Sequence, residues 1–190
     1  MTGEGRVSET RRRLRLWRIF GRVVNTRFGR FLLDHDWKTL SSVSAALSAP
    51  DLEADIAWAP LRKPLSQAVV GLLTTAGVYL EGQEPFDVDA ARGDASYRVL
   101  PRDLDVASLR IAHTHYPQER ARRDINVIFP IERLREAAEE GYVGAIAPRL
   151  LSFGWSDLTE EIIEPPDGTA HQVARILRDD SVDALILTPA

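Results

Sequence analysis

The sequence predicts an α/β protein with a parallel sheet, and three stretches carry that expectation. In Asp124–Arg149, Pro130 stands at a first helical position, where its missing N–H costs nothing. Ile131, Leu134 and Ala138 follow at helical spacing, with Glu132, Arg133, Arg135, Glu136, Glu139 and Glu140 on the other face. Gly141 stops this helix, and the apolar run Tyr142–Ala147 reads as a buried strand closed by Pro148. The second stretch, Ala68–Thr74, is an apolar strand ending in the small-residue turn Thr75-Ala76-Gly77. The third repeats the helix-to-strand order. Thr169 N-caps a helix with Val173, Ile176 and Leu177 inward, Asp179–Ser181 turns the chain, and Val182–Leu187 forms the last strand.

The remaining elements follow from the N-terminus. Residues 1–10 are polar, and 11–33 predict an arginine-rich amphipathic helix with Leu16, Ile19, Phe20, Val23 and Val24 on one side. Such a helix suits an anionic membrane, a targeting peptide or an acidic partner. The plainer reading, which we favour, packs Trp17, Phe20 and Phe31 on the acidic body. Residues 34–55 read as a connector, so the chain divides into a basic N-terminal segment, 1–56, and an α/β domain, 57–190. Within the domain, 81–106 lacks periodicity, and Gly93–Arg98 inside it reads on composition alone as a loop. Ser108–His115 is a further strand candidate, which would point His113 and His115 to one face.

A chain of 190 residues with 44% hydrophobic and 27% charged side chains can bury a core of its own. No apolar run approaches the ~20 residues of a membrane span. Nine arginines oppose two glutamates in residues 1–30, leaving 15 basic and 26 acidic side chains for the remainder. A body of that charge has no general attraction to nucleic acid. The chain has no cysteine, so it forms no disulfide and carries no thiolate of its own. With no secretory signal in view, the cytoplasm is the expected compartment. A Walker loop, a dinucleotide fingerprint and a Gly-x-Ser-x-Gly elbow are all absent.

Several motifs together resemble the selenoprotein B family of glycine, sarcosine, betaine and D-proline reductases. They are the arm Trp58–Leu65 with its following strand and Thr74-Thr75-Ala76-Gly77 turn, Gly-Asp-x-Ser-aromatic-Arg at 93–98, and His113-Thr114-His115-Tyr116. Ala121 and the Asp124-x-Asn126 pair before Phe129-Pro130 complete the set. The chain departs from the family at Leu150 and Leu151, where members carry His-Tyr-x-Phe followed by Met-Gly, and this leaves the substrate open. The resemblance covers about residues 57–190 and implies a parallel, Rossmann-like sheet with flanking helices and an ordered flap at 93–98 over the sheet edge.

Three readings compete for the His113, His115 and Asp124 cluster. Two histidines and a carboxylate can hold a divalent ion, as in a metal-dependent hydrolase. An imidazole can protonate a departing amine. Hydrogen bonds among these residues can simply hold the loop before the helix. The resemblance favours reductive C–N cleavage with His113, His115 and Asp124 as catalytic candidates and no metal. Thr75, Gly77, Asn126, Arg149 and Thr188 are then the substrate-binding candidates, with Arg149 suited to a carboxylate. It also implies a small amino-acid-like substrate, a dithiol or thioredoxin-like donor and other reductase subunits.

Val182–Leu187 is apolar at nearly every position, and the sequence stops soon after it. The resemblance places a redox selenocysteine or cysteine just beyond Ala190, so the expectation is a domain cut at a UGA codon and inactive alone. A non-catalytic α/β subunit docking through its basic helix is the alternative.

Overall fold

The computed structural model describes residues 59–156, 159–164 and 166–189, with 19, 22, 23, 25–27 and 29 near the N-terminus. The predicted basic helix over 11–33 and the connector over 34–55 fall almost wholly outside the described residues. The chain divides into two compact units. One comprises Met1–Ala59 with Thr114–Glu119, and the other Pro60–His113 with Arg120–Ala190.

The larger unit is built on β1 (Val69–Thr74), buried at five of its six positions. β1 has parallel neighbours on both edges. On one lie β5 (Ala145–Ile146) and β6 (Arg149–Phe153), and on the other lies β7 (Ala184–Thr188). β5 and β6 act as one interrupted strand. Val70 faces Ile146 and Leu73 faces Leu151, so five residues on one side match three on β1, with Ala147-Pro148 as the bulge. β3 (Tyr97–Pro101) pairs antiparallel with β6 and closes the far edge. The sheet is therefore mixed, which corrects the expectation of an all-parallel one. Antiparallel pairing along one edge is compatible with the parallel crossovers at the centre.

Other elements also differ from the sequence reading. The strand expected over Ser108–His115 shrinks to β4 (Leu109–Ile111), which pairs antiparallel with β2 (Val78–Leu80) in a separate two-stranded sheet. His113 and His115 thus lie beyond the strand, and the argument that they share a strand face does not apply. Tyr142–Ala147 keeps only Ala145–Ile146 as strand. The run Arg149–Phe153, not assigned from sequence, is the longer partner of β1. The apparently irregular 81–106 contains β3.

Short helices and 3-10 turns connect these strands, beginning with a turn at Val106–Ser108 before β4. α1 (Glu119–Arg123) is followed by a 3-10 turn, Ile125–Val127, and then by α2 (Ile131–Glu139). Gly141, at φ 79°, ends α2 as expected. α3 (Thr159–Ile163) precedes α4 (Thr169–Asp179), whose N-cap is Gly168 rather than Thr169. α4 covers one sheet face, where Val173 joins Leu73 and Leu151, flanked by Ile176, Leu177 and Leu185. The segment from Ile128 through α2 is anchored on the other face through Ile128 and buries Phe129, Ile131 and Leu134. Fully burying such side chains contributes about 1.5–3 kcal/mol each.

In β7, Ile186 is 38% and Leu187 63% exposed. The segment Gly93–Arg98 is ordered by Arg98. Its guanidinium donates to the carbonyls of Glu84, Pro85 and Tyr97 and to the Ser96 hydroxyl, and stacks 4.3 Å over the Phe86 ring. No helix among the described residues is long and apolar enough to cross a membrane.

Candidate functional site

In the central parallel set β6–β1–β7, the first strand lies between the two that follow it in sequence. In open α/β sheets, ligands bind beyond the carboxyl ends of strands where the order reverses in this way. Registration places one polar residue of each strand in a single row there. Arg98 faces Ser152, Ser152 faces Thr74, and Thr74 faces Thr188. The adjoining row, Val99, Leu151, Leu73 and Leu187, is wholly apolar, as the period-two alternation of a pleated sheet requires.

The row is tied to the loop before α2. Thr74 Oγ1 and Thr188 Oγ1 each donate to the carbonyl of Ile128 at 2.8 Å. Thr74 Oγ1 in turn accepts the Ala76 N–H at 3.1 Å, which holds the turn after β1. The Thr75 N–H donates to the Thr188 carbonyl at 3.1 Å, and the Gly77 N–H to the Phe153 carbonyl at 2.8 Å. Gly77 sits at φ 68°, and a Cβ there would collide with the Ala112 carbonyl and press on His113 Cβ. Only glycine fits this position, because positive φ and close backbone approach are both required. His113, 4% exposed, is thereby held against the turn. Four of the residues singled out from sequence, Thr75, Gly77, His113 and Thr188, are thus grouped at the carboxyl edge.

Asp124 and Asn126 are organised around the start of α2. Asp124 accepts the backbone N–H of Asn126 at 2.9 Å and its side-chain Nδ2 at 2.9 Å. Asn126 Nδ2 also donates to Glu132 Oε2 at 2.7 Å, while Asn126 Oδ1 accepts the Glu132 N–H at 3.1 Å. Pro130, at the N-cap position, makes no side-chain cap, and Asn126 performs that role from outside the helix. The side-chain and backbone bonds from Asn126 hold the Asp124 carboxyl below its ordinary 3.8, against a small opposing effect of burial and with help from Arg133.

Arg149 does not join this group, and His115 belongs to the other unit. Arg149 opens β6, so it sits at the amino edge, three residues or roughly 10 Å of strand from Ser152. Its Nε and Nη2 donate to the Asp180 carboxylate at 2.7–3.1 Å, which raises its pKa despite burial. His115 belongs to the smaller unit, where Thr114 Oγ1 lies 3.4 Å from its Nδ1. The loop carrying it is clasped by Asn25. Asn25 Nδ2 donates to the carbonyls of Thr114 and Tyr116 at 3.2 and 3.0 Å, and its Oδ1 accepts the Gln118 N–H at 3.2 Å. Among the described residues, no group of three or more His, Cys, Asp or Glu side chains is placed to hold a metal ion.

The sequence reading did not identify Thr74, Ser152 or Asn25 as candidates. The first two were masked because their neighbours are apolar, so each looked like an ordinary position within a buried strand. The available signal was a hydroxyl residue near the carboxyl end of each parallel strand. Asn25 gave none, since its partners lie about ninety residues away.

A family model described as glycine/sarcosine/betaine reductase selenoprotein B matches residues 44–190. The chain belongs to this family. D-proline reductase subunit gamma of Acetoanaerobium sticklandii is 35% identical over 133 residues, covering 69% of this chain and 52% of that protein. The chain therefore spans about half the length of this reductase relative. No solved structure was found to match it. The match includes the carboxyl edge of the sheet and the Asp124-x-Asn126 cap, so the elements described above are parts of a reductase-family domain.

Proposed function

We propose that the chain is the substrate-handling portion of a reductase that cleaves a C–N bond in a glycine-, betaine- or proline-like substrate, using electrons from a dithiol. The observation supporting this reading is the grouping of Thr75, Gly77, His113 and Thr188 at one sheet edge in a member of the selenoprotein B family. None of these side chains is acidic, so a selenolate or thiolate brought to this edge meets no like charge from them. Such a group attacks the carbon and displaces the amine. Two electrons and a proton from the dithiol then cleave the new carbon–selenium or carbon–sulfur bond, releasing the deaminated acid and leaving a disulfide. The chain contains no cysteine, so the nucleophile comes from another segment or subunit.

The chain's own residues position the substrate and move the proton. His113, buried against Gly77, protonates the amine as it leaves. Thr75 and Thr188 form the rim beside the reacting carbon. The Ile128 carbonyl keeps that rim in place by accepting both strand hydroxyls. Asp124 and Asn126 hold the turn that carries Ile128. The functional partners are the other reductase subunits and a dithiol or thioredoxin-like donor. A reaction that depends on reduced thiols belongs in the cytoplasm.

The test is amine release from glycine, sarcosine, betaine and D-proline with dithiothreitol. The purified chain alone should release none. A reductase fraction depleted of this chain should regain activity when it is added back, and His113→Gln should restore much less than the unaltered chain. Amine release by the chain alone would refute the external nucleophile, and failure of add-back would refute the reductase role.

A further inference from the structure

β7 pairs with β1 along its inner side, and among the described residues no strand pairs with its outer side. The Asp183 N–H donates to the Val69 carbonyl, so alternate residues from Asp183 turn their main-chain groups toward β1. Those of Ala184 and Ile186 therefore face outward. The strand is also apolar on both faces, since Ile186 and Leu187 are consecutive, exposed and directed to opposite sides of the sheet. Natural sheets guard an outer strand with a lysine, a proline, a bulge or a charge turned inward. Ala184–Thr188 has no charged residue and no proline, and its register with β1 runs without a bulge. This edge carries none of the usual safeguards.

We propose that this edge is a dimer interface, where β7 of a second copy of the chain pairs antiparallel about a two-fold axis at Ile186. The strand matches itself about that centre. Ile186 lies opposite the partner's Ile186, Leu185 opposite the partner's Leu187, and Ala184 opposite the partner's Thr188. The outward main-chain groups of the two Ile186 residues then exchange a pair of hydrogen bonds, as directly opposed residues do in an antiparallel ladder. On one face the two Ile186 side chains cover each other, and on the other Leu187 is covered by the partner's Leu185. The nearest acid, Asp183, falls opposite the partner's Pro189, and its carboxylate is already engaged by Lys63 and the Val69 N–H. No like charges meet along the seam. A second copy is favoured over a strand of another protein because register, faces and charge all match about one residue. Antiparallel pairing also sets the two carboxyl edges at opposite ends of the seam. The proposal does not depend on the reductase chemistry.

The test is sedimentation velocity of the full chain from about 1 to about 200 µM, joined to a cysteine pair. A five-residue seam buries less than the ~800 Å² per partner of a standard interface. The dimer should therefore be reversible, with a dissociation constant on the order of 1–100 µM. Ile186→Lys sets two cations face to face at the axis and should weaken association roughly tenfold or more. Because the chain has no cysteine, Ile186→Cys and Leu187→Cys each carry a single thiol. Directly opposed residues have Cα atoms about 5.5 Å apart, within the ~4.4–6.8 Å that a disulfide spans. The two Leu187 residues are offset by two positions, about 7 Å along the strands, which is beyond that reach. Mild oxidation should thus link Ile186→Cys into a dimer at least roughly tenfold faster than Leu187→Cys, although Leu187 is the more exposed. The two thiol variants carry the test should Ile186→Lys misfold. A monomer at every concentration would overturn the proposal and leave the edge to a different chain. Equal linking of the two thiols would overturn the register and, with it, the interface.

Discussion

Thr74 and Thr188, in register on adjacent parallel strands, both donate their hydroxyl hydrogens to one acceptor, the Ile128 carbonyl, each at 2.8 Å. This shared acceptor fastens the loop before α2 to the carboxyl ends of β1 and β7. It also couples the two threonines energetically. In Thr188→Val, Thr74 still satisfies Ile128, so the expected loss is about 0.5–1.5 kcal/mol. Thr74→Val also strips the Ala76 N–H of its acceptor in a fully buried site and should cost about 1–3 kcal/mol. The double variant leaves the carbonyl without either donor and should cost more than the sum. Urea unfolding of all four proteins measures the difference, and strict additivity would show that the hydroxyls act independently.

Gly77→Ala should destabilise the protein by about 2 kcal/mol or more, combining left-handed strain with a collision against the Ala112 carbonyl. Gly82 is the control. Its φ is 93°, but nothing lies within 4 Å of a built Cβ, so Gly82→Ala should carry only the backbone strain, about 1–2 kcal/mol. Thermal melts that rank the two variants in the opposite order would contradict the close packing of the β1 turn on the chain before His113.

Ser152 is fully buried, and among the described residues its hydroxyl has no hydrogen-bond partner. Ser152→Ala removes a polar atom that is already desolvated. The expected change lies between neutral and a gain of about 1 kcal/mol, instead of the loss usual for a buried hydroxyl. A loss greater than about 1 kcal/mol in chemical denaturation would mean that this hydroxyl is satisfied in solution.

Stability should fall in acid through Asp94 and Asp183. Burial raises the Asp94 carboxyl, but hydrogen bonds from Ser96 and the Asp87 N–H, together with Arg98, more than reverse this and leave it below 3.8. Lys63, 2.7 Å from Asp183, and the Val69 N–H likewise lower Asp183. Because both carboxyls bind protons less readily folded than unfolded, their stabilisation is complete above about pH 4. It is lost as the pH falls through their lowered values. Asp94→Asn and Asp183→Asn should each flatten the acid limb of stability against pH. An unchanged slope below pH 4 would remove these two groups from the acid response.

The sequence by itself determined what depends on neighbours a few residues apart. The apolar spacing of Ile131 and Leu134 and the stop at Gly141 located α2. The run at 69–74 located the central strand, and the residues of the family motifs placed the chain among the reductases. Tertiary structure decided what depends on pairing across long separations. Leu150 and Leu151 look alike in sequence whether they form a loop or a strand, and only pairing with β1 and β3 makes them central. His113 and His115 are two apart, but the strand before them ends at Ile111, so strand alternation does not govern where they point. Asn126 caps a helix that begins five residues later, since Pro130 supplies no cap of its own. Arg149 is close in sequence to Ser152 yet stands at the opposite sheet edge, because an extended strand carries the chain about 3.3 Å per residue. Thr74, Ser152 and Thr188 became one polar row only through strand register, which forms when segments 78 and 114 residues apart align their buried faces.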